Sequence, residues 1–114
     1  MPTRYYIRLP DAAAARGSDP STSFTAHGAD GFAEQLEQAM RTTAVFDRWR
    51  GSQADPEDVD PGLGATDPNA VASGEQRDLH IDLVLTTVLP GEIVRHRLRL
   101  LAGSHWQLRD VTAV

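Results

Sequence analysis

At 114 residues the chain is the size of one domain, and 40% hydrophobic with 24% charged residues is the balance of an ordinary globule. A net charge of −5 argues against a general nucleic-acid or anionic-membrane surface, and the absence of cysteine removes disulfides and thiolate chemistry. No apolar run approaches the roughly 20 residues of a membrane helix, and the opening MPTRYYIRLPD lacks the apolar core of a secretory signal, so no membrane and a cytoplasmic location are expected.

In chain order, Arg4 to Leu9 alternates as a strand does, with Tyr5, Ile7 and Leu9 on one side and Arg4, Tyr6 and Arg8 on the other. Pro10 closes it. Residues 10–21 are a proline-, glycine- and serine-bearing loop with room for one helical turn over the alanines. Ser23 to His27 reads as a short second strand with Phe24 and Ala26 inward. Asp30 is placed as a helix N-cap, and Phe32, Leu36, Ala39, Met40 and Thr43 follow at helical spacing. Phe46 and Trp49 continue the stripe past a break near 43, and Gly51 is a natural stop. This amphipathic stretch, about 30–50, is the one element able to cover a sheet.

Residues 52–77 lose all periodicity. Three Asp-Pro pairs and three glycines break any regular element, and together with Asp78 the segment holds seven of the sixteen acidic residues. A long acidic loop is therefore expected.

From Asp78 to Val114 alternation returns. Leu79, Ile81, Leu83, Leu85, Thr87 and Leu89 form one run, Val94, His96, Leu98 and Leu100 a second, and Trp106 with Leu108 a third. Turns at Pro90-Gly91 and at Ala102-Gly103-Ser104 would make these an antiparallel meander. In that register Leu83 faces Leu98, Asp82 faces Arg99, Arg97 faces Arg109, and His96 faces Asp110. The expected architecture is a single α+β domain over 1–114, in the order ββαβββ, with one helix across an antiparallel sheet.

The arginines are the leading candidate site. All 11 positive charges are arginine, a bias that coding composition alone can produce, yet a planar guanidinium grips a carboxylate or phosphate as a fork. In the expected register Arg4, Arg8, Arg95, Arg97, Arg99 and Arg109, with Tyr6 among them, share the face away from the helix. Such a face would bind an acidic protein partner or another anion. Its competing readings are a face charged only for solubility and one covered by the chain's own acidic loop through Asp55, Glu57, Asp58 and Asp60. Homodimerisation through this face or a sheet edge is a further expectation.

The second candidate is catalytic. A histidine held by a carboxylate, as His96 and Asp110 would be, is the orienting half of a general-base arrangement. No nucleophile motif or phosphate loop accompanies it, so no catalytic residue is assigned, and a satisfied histidine is the simpler account. His80 and His105 would lie about 10 Å apart across the sheet, too wide for one zinc, and the loop lacks a calcium pattern. No metal or cofactor is expected. Single-stranded nucleic-acid binding needs exposed aromatics, and only Tyr6 qualifies. The reading placed first is a small non-enzymatic interaction or adaptor module. An enzyme of unknown reaction stands second.

Overall fold

Four strands and three helices organise the chain, and the computed structural model describes every residue from Met1 to Val114. In order they are β1 (Thr3–Leu9), α1 (Ala29–Arg41), α2 (Ala44–Gly51), β2 (Val71–Arg77), β3 (His80–Thr87), α3 (Gly91–Ala102) and β4 (Gln107–Ala113). The strands lie in the order β2-β3-β1-β4, and every neighbouring pair is antiparallel. With α1 and α2 taken together as one crossover, this is the β-α-β-β-α-β arrangement of two split βαβ units, the ferredoxin-like plan. The fold is α+β. No helix is long and apolar enough to cross a membrane.

All three helices pack on one side of the sheet. Tyr5, Ile7 and Leu9 of β1 and Ile81, Leu83 and Leu85 of β3 point into that side and are 5% exposed or less, against Phe32, Leu36 and Met40 of α1 and Val94, Leu98 and Leu101 of α3. The strict alternation in β1 and β3 is what commits one face of each central strand to this core. The opposite face has no second layer, and the molecule measures 42 × 32 × 19 Å. The Tyr5 hydroxyl, buried with its ring, donates to Leu89 O at 3.0 Å and so keeps its polar end satisfied.

The first half follows the expectations with two corrections. The strand expected at Ser23–His27 is absent, although Phe24 is buried edge-on against Phe32 at 5.0 Å. Its N–H groups are taken elsewhere: Phe24 N donates to Leu101 O, while Thr25 N and Ala26 N donate to the Gln35 side chain. The N-cap of α1 is Gly28, not Asp30, which sits in the first turn where its charge favours the positive helix end. The break near 43 is present, with Thr42 in an extended conformation between α1 and α2.

The second half departs more. Residues 71–77, expected to be loop, form the edge strand β2, joined to β3 by a tight turn in which Asp78 adopts φ +57°. Its helix-facing positions Ala72 and Gly74 are small because α1 sits on them: a β-carbon at Gly74 would meet Ala29 O at 2.5 Å. Two residues of α1 also occupy its free edge, Glu37 accepting from Ala72 N at 3.0 Å and Arg41 donating to Ala70 O at 2.7 Å.

The meander is not formed, because its middle strand is the helix α3. The buried set Ile93, Val94, Arg97, Leu98, Leu101 and Ala102 recurs at helical spacing. Pro90 is its N-cap, Glu92 lies in the first turn, Arg99 in the last, and Gly103 at φ +63° ends it. Strand β4 therefore pairs with β1, and a bulge between Tyr6 and Ile7 leaves Arg109 without a partner in the ladder. Leu108 and Trp106 pack against the core as expected, and Trp106 Nε1 donates to Gly103 O at 2.9 Å.

Candidate functional site

The open face of the sheet can be written as rows across β2, β3, β1 and β4. Registers place Val71, Thr86, Arg4 and Thr112 in the first row, Ser73, Val84, Tyr6 and Asp110 in the second, and Glu75, Asp82, Arg8 and Gln107 in the third. Arg77 beside His80 completes it. Tyr6 is the one tyrosine, tryptophan or phenylalanine on the face. The middle of the sheet is concave, forming an open groove of about 500 Å³ floored by Tyr6, Val84, Arg8 and Asp82. Glu75 and Arg77 stand on one wall, Arg109 and Asp110 on the other.

Charge on this face is partly neutralised from within. Glu75 lies directly across from Asp82, a like-charge pair that cations must bridge. Arg8 does so through Nε, 2.9 Å from Asp82 Oδ1, and Arg77 lies 3.0 Å from Glu75 and 3.5 Å from Asp82. His80 Nε2 is also 3.5 Å from Asp82. The Arg8 hydrogen bond, aided by the charges of His80 and Arg77, holds the Asp82 carboxyl below its ordinary range despite partial burial. Arg4 and Arg109 make no ion pair. The face carries four arginines against three carboxylates, a formal +1, while the other seven arginines and thirteen carboxylates leave the remainder at −6.

Of the residues expected to share this face, Arg4, Tyr6, Arg8 and Arg109 do so. Arg95 and Arg99 do not: they lie exposed on α3, on the helix side. Arg97 is the largest departure, a guanidinium at 0% exposure inside the protein. No carboxylate faces it. Its Nη1 donates to Ala39 O at 2.8 Å and its Nη2 to Leu63 O and Ala65 O at 2.9 and 2.6 Å. Burial lowers its proton affinity from the usual guanidinium range, but an arginine stays charged in proteins.

His96 and Asp110 do not meet. Asp110 is on the open face beside Tyr6, where its carboxylate accepts from Val111 N at 2.8 Å. His96 is on α3 with its ring 4.5 Å from Trp49, edge to face, and its buried Nδ1 has no partner. Burial first, then the charges of Arg97 and Arg99, push the His96 pKa down. A histidine kept neutral with no carboxylate or nucleophile beside it lacks the parts of a general-base pair. No group of three or more histidines and carboxylates is placed to hold a metal ion.

The 52–70 segment is ordered against the helices by its main chain. Arg50 Nε donates to Pro56 O, Arg97 to Leu63 O and Ala65 O, and Arg41 to Ala70 O. Gly64 lies so near the Phe46 ring that a β-carbon there would come within 2.7 Å of it. Buried Asp67 anchors the far end, accepting from Val88 N, Thr87 Oγ1 and Asn69 N, and these bonds lower its pKa. Because carbonyls make the contacts, Asp55, Glu57, Asp58 and Asp60 remain exposed. The loop thus does meet arginines, but on the helix side and not through its carboxylates.

A scan against protein-family models matches no family, and searches of curated proteins and of solved structures find no significant relative. Sequence reasoning missed Arg77, Glu75 and Asp67 as members of these clusters. For the first two the available signal was weak parity in VASGEQR, where Ser73, Glu75 and Arg77 alternate with the small Ala72 and Gly74. For Asp67 there was none, since two other Asp-Pro pairs in the same loop are exposed at their aspartates.

Proposed function

We propose that the protein is a non-enzymatic binding module that receives an acidic protein segment on the open face of its sheet. The observation that carries this reading is the pair of guanidinium groups without carboxylate partners, Arg4 and Arg109, on either side of Tyr6 on a face that no other layer covers. Against the −6 of the remainder, the formal +1 of this face favours the approach of an anionic chain. Tyr6 supplies a rigid contact with a polar tip between the two charges. Arg8 and Arg77 are held by Asp82 and Glu75, so they fix the shape of the groove and contribute less to attraction.

A fluorescein-labelled hexaglutamate peptide is the probe. Anisotropy at 20 mM NaCl is expected to report saturable binding that weakens steeply by 300 mM NaCl, as exposed ion pairs are screened within about 8–10 Å at physiological salt. Replacing both arginines (Arg4→Gln with Arg109→Gln) is expected to weaken binding roughly tenfold, two exposed contacts being lost. Binding unchanged in that double variant, or none at millimolar protein, would count against the reading.

A further inference from the structure

We infer that the acidic segment received on the open face is the 55–60 loop of another copy of this chain, giving a head-to-tail association. This rests on the binding reading above and names its partner. The chain holds both halves of the contact. Asp55, Glu57, Asp58 and Asp60 stand exposed within six residues; the Pro56 carbonyl between them turns inward to Arg50, and the Asp60 carboxylate accepts from Gly62 N at 2.8 Å. Arg4 and Arg109 stand unpaired on the sheet.

Within one molecule the two cannot meet. Arg97 fixes Leu63 and Ala65 to the helix layer, Leu63 packs against the core, and the sheet lies between the loop and the arginines. Charge complementarity that is barred in cis by a rigid fold is free to act in trans. The contact is heterologous, loop to face, so each copy keeps one loop and one face available and the assembly grows as a ring or an open chain. Charge also sets its strength: exposed pairs of this kind give weak, salt-sensitive association.

The test uses the full chain in sedimentation velocity at 20 and 500 mM NaCl, with two variants. The loop variant is Asp55→Asn, Glu57→Gln, Asp58→Asn and Asp60→Asn, which keeps the Asp60 acceptor for Gly62. The face variant is Arg4→Gln with Arg109→Gln. All six sites are exposed or half-exposed, and circular dichroism confirms that each variant is folded. Wild type is expected to sediment above the monomer in a concentration-dependent way at 20 mM and as monomer at 500 mM. Each variant alone is expected to associate at least tenfold more weakly, while an equimolar mixture of the two forms a one-to-one complex that grows no further, within about twofold of the wild-type affinity. A monomeric wild type at 0.5 mM protein and 20 mM salt would overturn the inference, as would a loop variant that still self-associates. If hexaglutamate still binds in that event, only the identity of the partner is lost. If it does not, the binding reading falls as well.

Discussion

The two sides of the sheet use arginine in opposite ways. On the helix side Arg97 is fully buried, faces no carboxylate, and is held by three carbonyl oxygens from two separate segments. On the open side Arg8 is part-exposed and shares a carboxylate, Asp82, with Arg77 and His80. The first arrangement joins the end of α1 to the 52–70 segment, in a place where water cannot substitute for any bond that is lost. The second is bathed in solvent and salt, which can replace either partner at little cost. A cation's contribution here depends less on the sign of its neighbour than on whether water is there to compete.

That contrast gives an ordered set of expectations. Arg97→Ala should be the most damaging, because it leaves a cavity and three carbonyls without a donor. A loss of about 3–5 kcal/mol in urea unfolding at constant slope is expected, with Arg97→Lys falling between the variant and wild type, since a point ammonium cannot span the same acceptors. A loss under about 1 kcal/mol in Arg97→Ala would remove the contrast.

An intermediate effect should appear with acid, through His96. Its pKa is depressed in the folded protein, so the fold favours the neutral ring. The stability this brings is complete above the ordinary histidine value of 6.5 and is lost as the pH falls below that value toward the depressed one. The urea midpoint should therefore drop between pH 7.5 and 5, and His96→Gln should flatten that slope. An unaltered slope would show that the ring next to Arg97 is not the source. Asp67 and Asp82, both depressed, act in a separate window: their contribution is present above 3.8 and lost as the pH falls below it.

The smallest effect belongs to the open side. In a double-mutant cycle with Arg8→Gln and Asp82→Asn, the coupling should be a small fraction of the Arg97→Ala effect and should fade by 0.5 M NaCl. A coupling that persists at high salt would place Arg8 in the same class as Arg97.

How far the sequence can be read follows from the same residues. β3 and α3 both carry period-two alternation, in HIDLVLTT and in VRHRLRLL. In β3 the alternation is the whole pattern, and Ile81, Leu83 and Leu85 are buried while Asp82, Val84 and Thr86 face out, as read. In α3 the true stripe runs Ile93, Val94, Arg97, Leu98, Leu101. An arginine in the middle of it looks like an outward residue, so the helical period breaks there and the weaker two-residue rhythm takes its place. The sequence says that Arg97 is charged, but only the packing of Ala39, Leu63 and Ala65 around it makes the interior habitable for that charge. Arg4, Tyr6 and Arg8 were legible because strand parity alone puts them on the open side, whereas Arg109 reaches it at a bulge that also carries Asp110 there, against parity. Arg95 and Arg99 left that side together with Arg97 when their segment became a helix, and β2 was hidden because α1 lies too near it to admit large side chains.

The hold of Glu37 and Arg41 on Ala72 and Ala70 has a consequence for misassembly. At its start, one border of the sheet already finds, in a helix of its own chain, the hydrogen-bonding company that a foreign strand would offer. Cross-β growth that begins there must first peel α1 away. Mutations at Glu37 or Arg41 are thus where slow aggregation on storage would be seen before any loss of the native fold.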